Sequence, residues 1–329
     1  MGSWHLEGMK RFLILLALCL TGISRLGAAT WSFAVAGDDR TDPRLEKVDP
    51  TGIHTEVLGR LLEQIDADKP EFLLFTGDLV YGENLRIPAK IAEQFAAWKK
   101  IAAEKSPSLK ILPVRGNHET LGDPEGTAWV AAFEPALSSN GVAWFPGQKG
   151  FSYLWSPPGH PDTAVIALDQ YNPVAPHQID EKGLEEALSK ARAAGVKHLF
   201  PFLHEEAFSA GCHADSDDMA AFPVARDKFL ETLRENGIRW LFTGHDHFYD
   251  RMEIGNWRWP KDYVLRQVVA GTAGAPFYPD RTYFGNHDGY DLTRTDHHQN
   301  TYGWLRVTVN DDPKPGEEPV TVEFVPLIP

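Results

Sequence analysis

The sequence is poor in cysteine. Its 329 residues hold only Cys19 and Cys212, too few for the disulfide framework of a small secreted scaffold. Stability therefore has to come from burial. A basic patch is missing as well: 32 lysines and arginines are scattered among 46 acidic residues, and the net charge of -14 repels duplex nucleic acid. Long apolar runs are absent. The nine-residue run Phe12–Leu20 falls well short of the about 20 residues that a membrane-spanning helix needs, which argues against a stable membrane span. There is no sustained heptad, internal repeat or low-complexity tract, so coiled-coil and solenoid architectures are excluded too. What remains is a globular chain.

At the N-terminus, Met9-Lys10-Arg11, the Phe12–Leu20 run and Gly27-Ala28-Ala29 stand in the basic, apolar, small-residue order of an export signal. Cleavage after Ala29 is expected, giving a secreted or periplasmic protein. Residues 30–329 contain no linker and are read as a single catalytic domain. Removal of Cys19 leaves Cys212 as the one thiol, and no catalytic role is assigned to it.

Residues 30–36 form an apolar run that stops at Gly37-Asp38-Asp39-Arg40, the pattern of a buried strand ended by a turn. The pattern then recurs. Val57, Leu58, Leu61, Leu62 and Ile65 have helical spacing within 52–66, and a strand over 71–76 ends at Gly77-Asp78. A helix over 89–104 leads to a strand over 110–114 and to Arg115-Gly116-Asn117-His118-Glu119. After short strands at 150–155 and 163–168, a helix over 180–194 precedes a strand at 198–203 and His204. The last helix, 226–235, feeds a strand at 238–242 and Gly244-His245-Asp246-His247. Stretches 263–270, 302–309 and 320–325 are β-like and are expected to form a second, largely antiparallel sheet, with 271–301 as polar loop. The fold class is α/β, becoming α+β-like toward the C-terminus.

Each apolar strand of this α/β part ends in a residue suited to metal or phosphate chemistry, where open α/β sheets place their ligands. Asp38, Asp78 and Asn117 follow one another at intervals of about 40 residues, each with room for a strand–helix–strand unit of at least about 30. Carboxylates, an amide oxygen and imidazoles suit divalent or trivalent transition ions, and a shared carboxylate can hold two of them about 3.5–4 Å apart. Two adjacent ions supply hydroxide and neutralise a phosphoryl group, which is the chemistry of phosphoester hydrolysis. Singly the signals are weak: Gly-Asp is an ordinary turn, Tyr81 an ordinary packed ring and His204 an ordinary buried histidine. Their ordered coincidence carries the reading.

Gly77-Asp78-x-x-Tyr81, Gly116-Asn117-His118-Glu119, His204 after its strand and Gly244-His245-Asp246-His247 occur in the order found in calcineurin-like metallophosphoesterases. The chain resembles that superfamily over residues 30–325. The resemblance implies a four-layer sandwich, two β-sheets packed face to face and flanked by helices. It implies that Asp78 bridges two transition metals, that Asn117, His204 and His245 bind the second, and that Asp38 and His247 bind the first. His118 would stand near the leaving group of a small phosphorylated substrate, with Glu119 orienting it, as hydroxide attacks a phosphomonoester in line.

One motif departs from the pattern. Where the superfamily has Asp-x-His, this chain has Asp38-Asp39-Arg40, and arginine cannot be a metal ligand. Purple acid phosphatases also lack that histidine, and the tyrosine of their Gly-Asp-x-x-Tyr motif takes its place. The resemblance therefore implies Tyr81 as a ligand of the first metal, with iron paired with iron, zinc or manganese. Arg40 is read as a substrate-binding residue, because its fork suits oxyanions. Two alternatives stay open: a phosphodiesterase acting on nucleotides or glycerophosphodiesters, and a non-catalytic phosphate- or polyanion-binding protein with a degraded first site. The polar stretches from His213 to Asp218 and from His287 to His298 are read as solvated loops.

Overall fold

In the computed structural model, residues 30–214, 219–281 and 285–328 are described, and the expected export signal lies outside them. In chain order, β1 (Thr30–Ala36), α1 (Thr55–Asp68), β2 (Leu73–Phe75), α2 (Ile91–Lys105) and β3 (Ile111–Pro113) make the first repeated unit. α3 (Thr127–Ser139), β4 (Ala143–Trp144), β5 (Tyr153–Trp155) and β6 (Thr163–Ala167) follow. Then come α4 (Glu181–Ala193), β7 (His198–Phe202), α5 (Pro223–Glu235) and β8 (Trp240–Thr243). The chain closes with β9 (Tyr249–Asn256), β10 (Leu265–Ala270), β11 (Gly285–His287), β12 (Tyr290–His298), β13 (Gly303–Asn310) and β14 (Val320–Pro326).

The strands form two sheets, of order β14-β13-β1-β2-β3 and β11-β12-β9-β10-β8-β7-β6-β5-β4. β1, β2 and β3 are parallel, as are β6, β7, β8 and β10; the remaining pairings are antiparallel. Alternation along β6 shows how the layers stack: Val165 and Ala167 belong to the core between the sheets, whereas Ala164 and Ile166 pack with Leu184 of α4 and Leu230 of α5. The sheets meet face to face around Phe33 of β1, whose ring lies 5.1 Å from Phe200 of β7 and 6.0 Å from Phe242 of β8. On the far side of the first sheet, Leu58, Leu61, Leu62 and Ile65 of α1 and Phe95 of α2 are fully buried, and Trp98 of α2 meets Phe75 of β2 edge-on at 5.3 Å. Among the described residues no helix is long and apolar enough to cross a membrane.

Three elements depart from the sequence reading. α3 is an unannounced helix with Pro135 inside it, held by Trp129 and Phe133 against Phe95 and Trp98. The three β-like C-terminal stretches do not make a sheet of their own. β13 and β14 extend the first sheet beyond β1, and β10 lies between β9 and β8 in the second. Finally, the polar stretch 271–301 contains β11 and β12; β12 buries only Tyr290 and Leu292, so its edge-like polarity resembles a loop.

Candidate metal centre

The C-terminal ends of β1, β2, β3, β7 and β8 converge on one site. Its backbone is strained: Asp38, Asp78 and His245 have φ of 64°, 51° and 73°, values that side chains other than glycine adopt at a cost. Reciprocal bonds hold them there. The Asp38 N–H donates to the Gly77 carbonyl at 3.0 Å, the Asp39 N–H to the Asp78 carbonyl at 3.1 Å, and the His245 N–H to both Asp38 carboxylate oxygens at 3.1 Å. The neighbouring glycines are needed for close approach. A Cβ on Gly116 would lie 2.2 Å from Asp78 Oδ1, and one on Gly244 would lie 2.3 Å from Asp38 Oδ2.

Around His204 several potential ligand atoms face one another, an arrangement a cation would satisfy. The ring is fully buried and its Nδ1–H donates to the Thr76 carbonyl at 2.8 Å, which in the neutral tautomer leaves the lone pair on Nε2. That nitrogen faces His245 Nδ1 at 3.0 Å, Asn117 Oδ1 at 3.1 Å and Asp78 Oδ1 at 3.5 Å. Burial drives the His245 pKa well below the usual histidine range, which leaves that imidazole neutral and able to ligate. Asp78, Asn117, His204 and His245 thus fit a transition-metal ion at the second position.

The first position is different. His247 gives its Nδ1–H to the Pro276 carbonyl at 2.6 Å and aims Nε2 at Asp38 Oδ1, 3.6 Å away. Burial, and then the charge of Asp78, pushes the Asp38 carboxyl well above its usual range. This pair too calls for a positive charge. Arg40 is beside it, with Nε 3.5 Å from Asp78 Oδ2 and Nη2 donating to the Tyr278 hydroxyl at 2.7 Å. Tyr81, expected to ligate here, offers its backbone carbonyl to His118 Nδ1 at 2.7 Å and its ring to Arg40 Cζ at 5.4 Å. The Arg40 guanidinium stands against the Asp78 carboxylate. Asp38 and His247 are brought together here as the resemblance implies, and Arg40 stands where it places a histidine.

His118 and Glu119, adjacent in sequence, do separate jobs. With Nδ1 held by Tyr81, His118 Nε2 points toward Asp78 Oδ2 at 3.9 Å, and burial lowers its pKa to about 4. Glu119 does not orient that ring. Its carboxylate accepts from the backbone N–H groups of Gly116 at 2.6 Å, Asp78 at 2.9 Å and Val80 at 3.2 Å, which clamps the loops after β2 and β3 together. Burial, then the Asp78 charge, pushes its carboxyl up to about 8 against those donors.

Two residues at the centre had no distinguishing sequence signal. His213, in a stretch read as solvated loop, stacks on His245 at 3.7 Å and faces Asp246 Oδ1 through Nδ1 at 3.0 Å. Burial favours the neutral ring, but the hydrogen bond to Asp246 and the contact with Cys212 outweigh it and raise the His213 pKa to about 10. Tyr278 stacks on His247 at 3.9 Å. Asp215, Asp217 and Asp218 lie outside the described residues.

A family described as calcineurin-like phosphoesterase matches residues 51–249, more than half of the chain. The match includes Asp78, Asn117, His118, His204, His245 and His247 and begins after Asp38 and Arg40. The serine/threonine-protein phosphatase CPPED1 of Mus musculus is 24% identical over 182 residues, 54% of each chain. The chain thus spans about half the length of that relative. Among solved structures, GAP50, the anchor in the inner membrane complex of Plasmodium, superposes with a TM-score of 0.55 at 13% identity, covering 90% of this chain and 84% of its own. The purple acid phosphatase PPD1 from yellow lupin seeds gives 0.53 at 14%, covering 86% and 50%. At those identities the likeness is one of fold.

Proposed function

This chain belongs to the calcineurin-like phosphoesterase family, and from that premise we propose that it is an exported hydrolase of small phosphomonoesters. It is a metal-dependent phosphoester hydrolase; the family uses a dinuclear metal centre, and candidate ligand groups for it are present in this chain. The lone pairs gathered around His204 Nε2 are the observation that carries the reading. An ion held there supplies Lewis-acid stabilisation of the phosphoryl charge.

The rest falls to the chain. Arg40, whose buried Nε is ion-paired with Asp78 but makes no hydrogen bond among the described residues, binds a phosphate oxygen. A monoester's extra negative charge suits this fixed cation, which favours monoesters over diesters. His118, neutral in the free site, takes a proton from solvent as the dianion enters and returns it from Nε2 to the departing alkoxide as a water-derived oxygen replaces that group at phosphorus. The Tyr81 carbonyl keeps that nitrogen aimed.

Export rests on the order of residues 9–29. Expressed with its own leader, the protein recovered outside the cytoplasm should begin at or near Thr30 by intact mass and release phosphate from monoesters in a panel assay. Asp78→Asn should abolish release. Faster cleavage of diesters would overturn the monoester assignment, phosphate binding without turnover would overturn the enzyme, and an uncleaved, membrane-embedded product would overturn export.

A further inference from the structure

We propose that this chain holds one metal ion, at the second position, and that the Arg40 guanidinium supplies the positive charge of the first. The inference rests on the metallophosphoesterase reading of the site. Arg40 stands where the motif order places a histidine ligand, and a guanidinium has no lone pair to offer a metal. It is 6% exposed, so its charge is not dissipated into water.

Two contacts fix where that charge lies. Nη2 is tethered to the Tyr278 hydroxyl at 2.7 Å, and Tyr278 is stacked on His247, the first-position imidazole. Nε lies 3.5 Å from Asp78 Oδ2, while Asp78 Oδ1 faces His204 at the second position. Each oxygen of the bridging carboxylate thereby faces its own positive charge. Arg40 already sets one fixed positive charge against Asp78 Oδ2, and a divalent ion beside it would be repelled in a place where solvent screens poorly. Nε makes an ion pair but no hydrogen bond among the described residues, which leaves its N–H able to take a ligand oxygen.

The test is a metal count on the full-length protein loaded with Mn²⁺, desalted and measured by mass spectrometry of the metal. The count from Asp78→Asn is subtracted, so that only ions of this centre are scored. One ion is expected in the parent, with the six-line paramagnetic resonance spectrum of isolated Mn²⁺. Arg40→His, which restores an imidazole and removes the charge, should hold two ions and show the spectrum of a spin-coupled pair. Two ions in the parent overturn the proposal without recourse to any variant. So does an Arg40→His protein that melts as the parent does and still holds one. Hydrolysis is scored separately: one ion without turnover would sink the proposed function while supporting this inference.

Discussion

Glu119 is fully buried, and three backbone N–H groups from two different loops converge on its two oxygens. A glutamine has a single acceptor oxygen, so Glu119→Gln would turn an amide NH₂ toward at least one buried donor, at a cost of about 1–3 kcal/mol. Because one of those donors is the N–H of Asp78, the damage reaches that carboxylate. The variant should fold, melt earlier and bind Mn²⁺ more weakly in a calorimetric titration; unchanged metal affinity would show that the clamp does not position Asp78. Arg40 is 6% exposed and its Nε lies 3.5 Å from Asp78 Oδ2, so its charge acts on that carboxylate with little screening by solvent.

α1 starts at His54, whose Nδ1 accepts from the Val57 N–H at 3.4 Å. Only a neutral imidazole can accept there, and burial lowers the His54 pKa below its ordinary value of about 6.5. With the folded-state pKa depressed, the cap's contribution is complete above about pH 6.5 and is lost as pH falls through the folded-state value. An N-cap is worth about 1 kcal/mol, or about 2 °C in a chain of this size. His54→Asn, which caps at any pH, should remove that part of the fall in Tm between about pH 7 and 5 on a calorimetric scan. An identical slope in the variant would assign the titration elsewhere. The periodicity that made α1 legible in the sequence also exposed α2, α4 and α5. It missed α3, where Pro135 and a broad apolar stretch blur the 3.6-residue period. It also left the partners of β10, β13 and β14 undetermined, because alternation fixes which face a strand buries and not which strand lies beside it. In the site, Asp38, Asp78, Asn117, His204, His245 and His247 could be found because each follows an apolar strand. His213 and Tyr278 reach the centre from loops, through contacts that no local pattern encodes.

The centre belongs to neither sheet alone. Asp38, Asp78 and Asn117 follow strands of the first, whereas His204, His245 and His247 follow strands of the second. The geometry around His204 Nε2 therefore depends on how the sheets are held against each other. Beside the apolar Phe33–Phe200 contact, polar ties join them near the site, and one of these is an ion pair. Arg115, just before Gly116 and Asn117, donates from Nε and Nη2 to the two oxygens of Asp169 at 2.9 and 2.7 Å; Asp169 follows β6. Nη2 also reaches the Tyr171 carbonyl at 3.1 Å, and the guanidinium lies 4.4 Å from the Phe151 ring. Both side chains are almost wholly buried, at 2% and 3% exposure, so removing one partner strands the other charge at a cost of about 3–5 kcal/mol. Asp169→Ala should therefore lower unfolding stability by that amount in denaturant titrations and weaken Mn²⁺ binding. The double variant Arg115→Met, Asp169→Leu separates the two effects, because an apolar pair of similar volume costs far less than a lone buried charge. It should regain most of the stability while metal affinity stays low, since the ion-paired anchor between the Asn117 loop and the second sheet is then gone. Recovery of both would mean that the pair acts only through packing, and a loss below about 1 kcal/mol in Asp169→Ala would mean that the buried charge finds another partner.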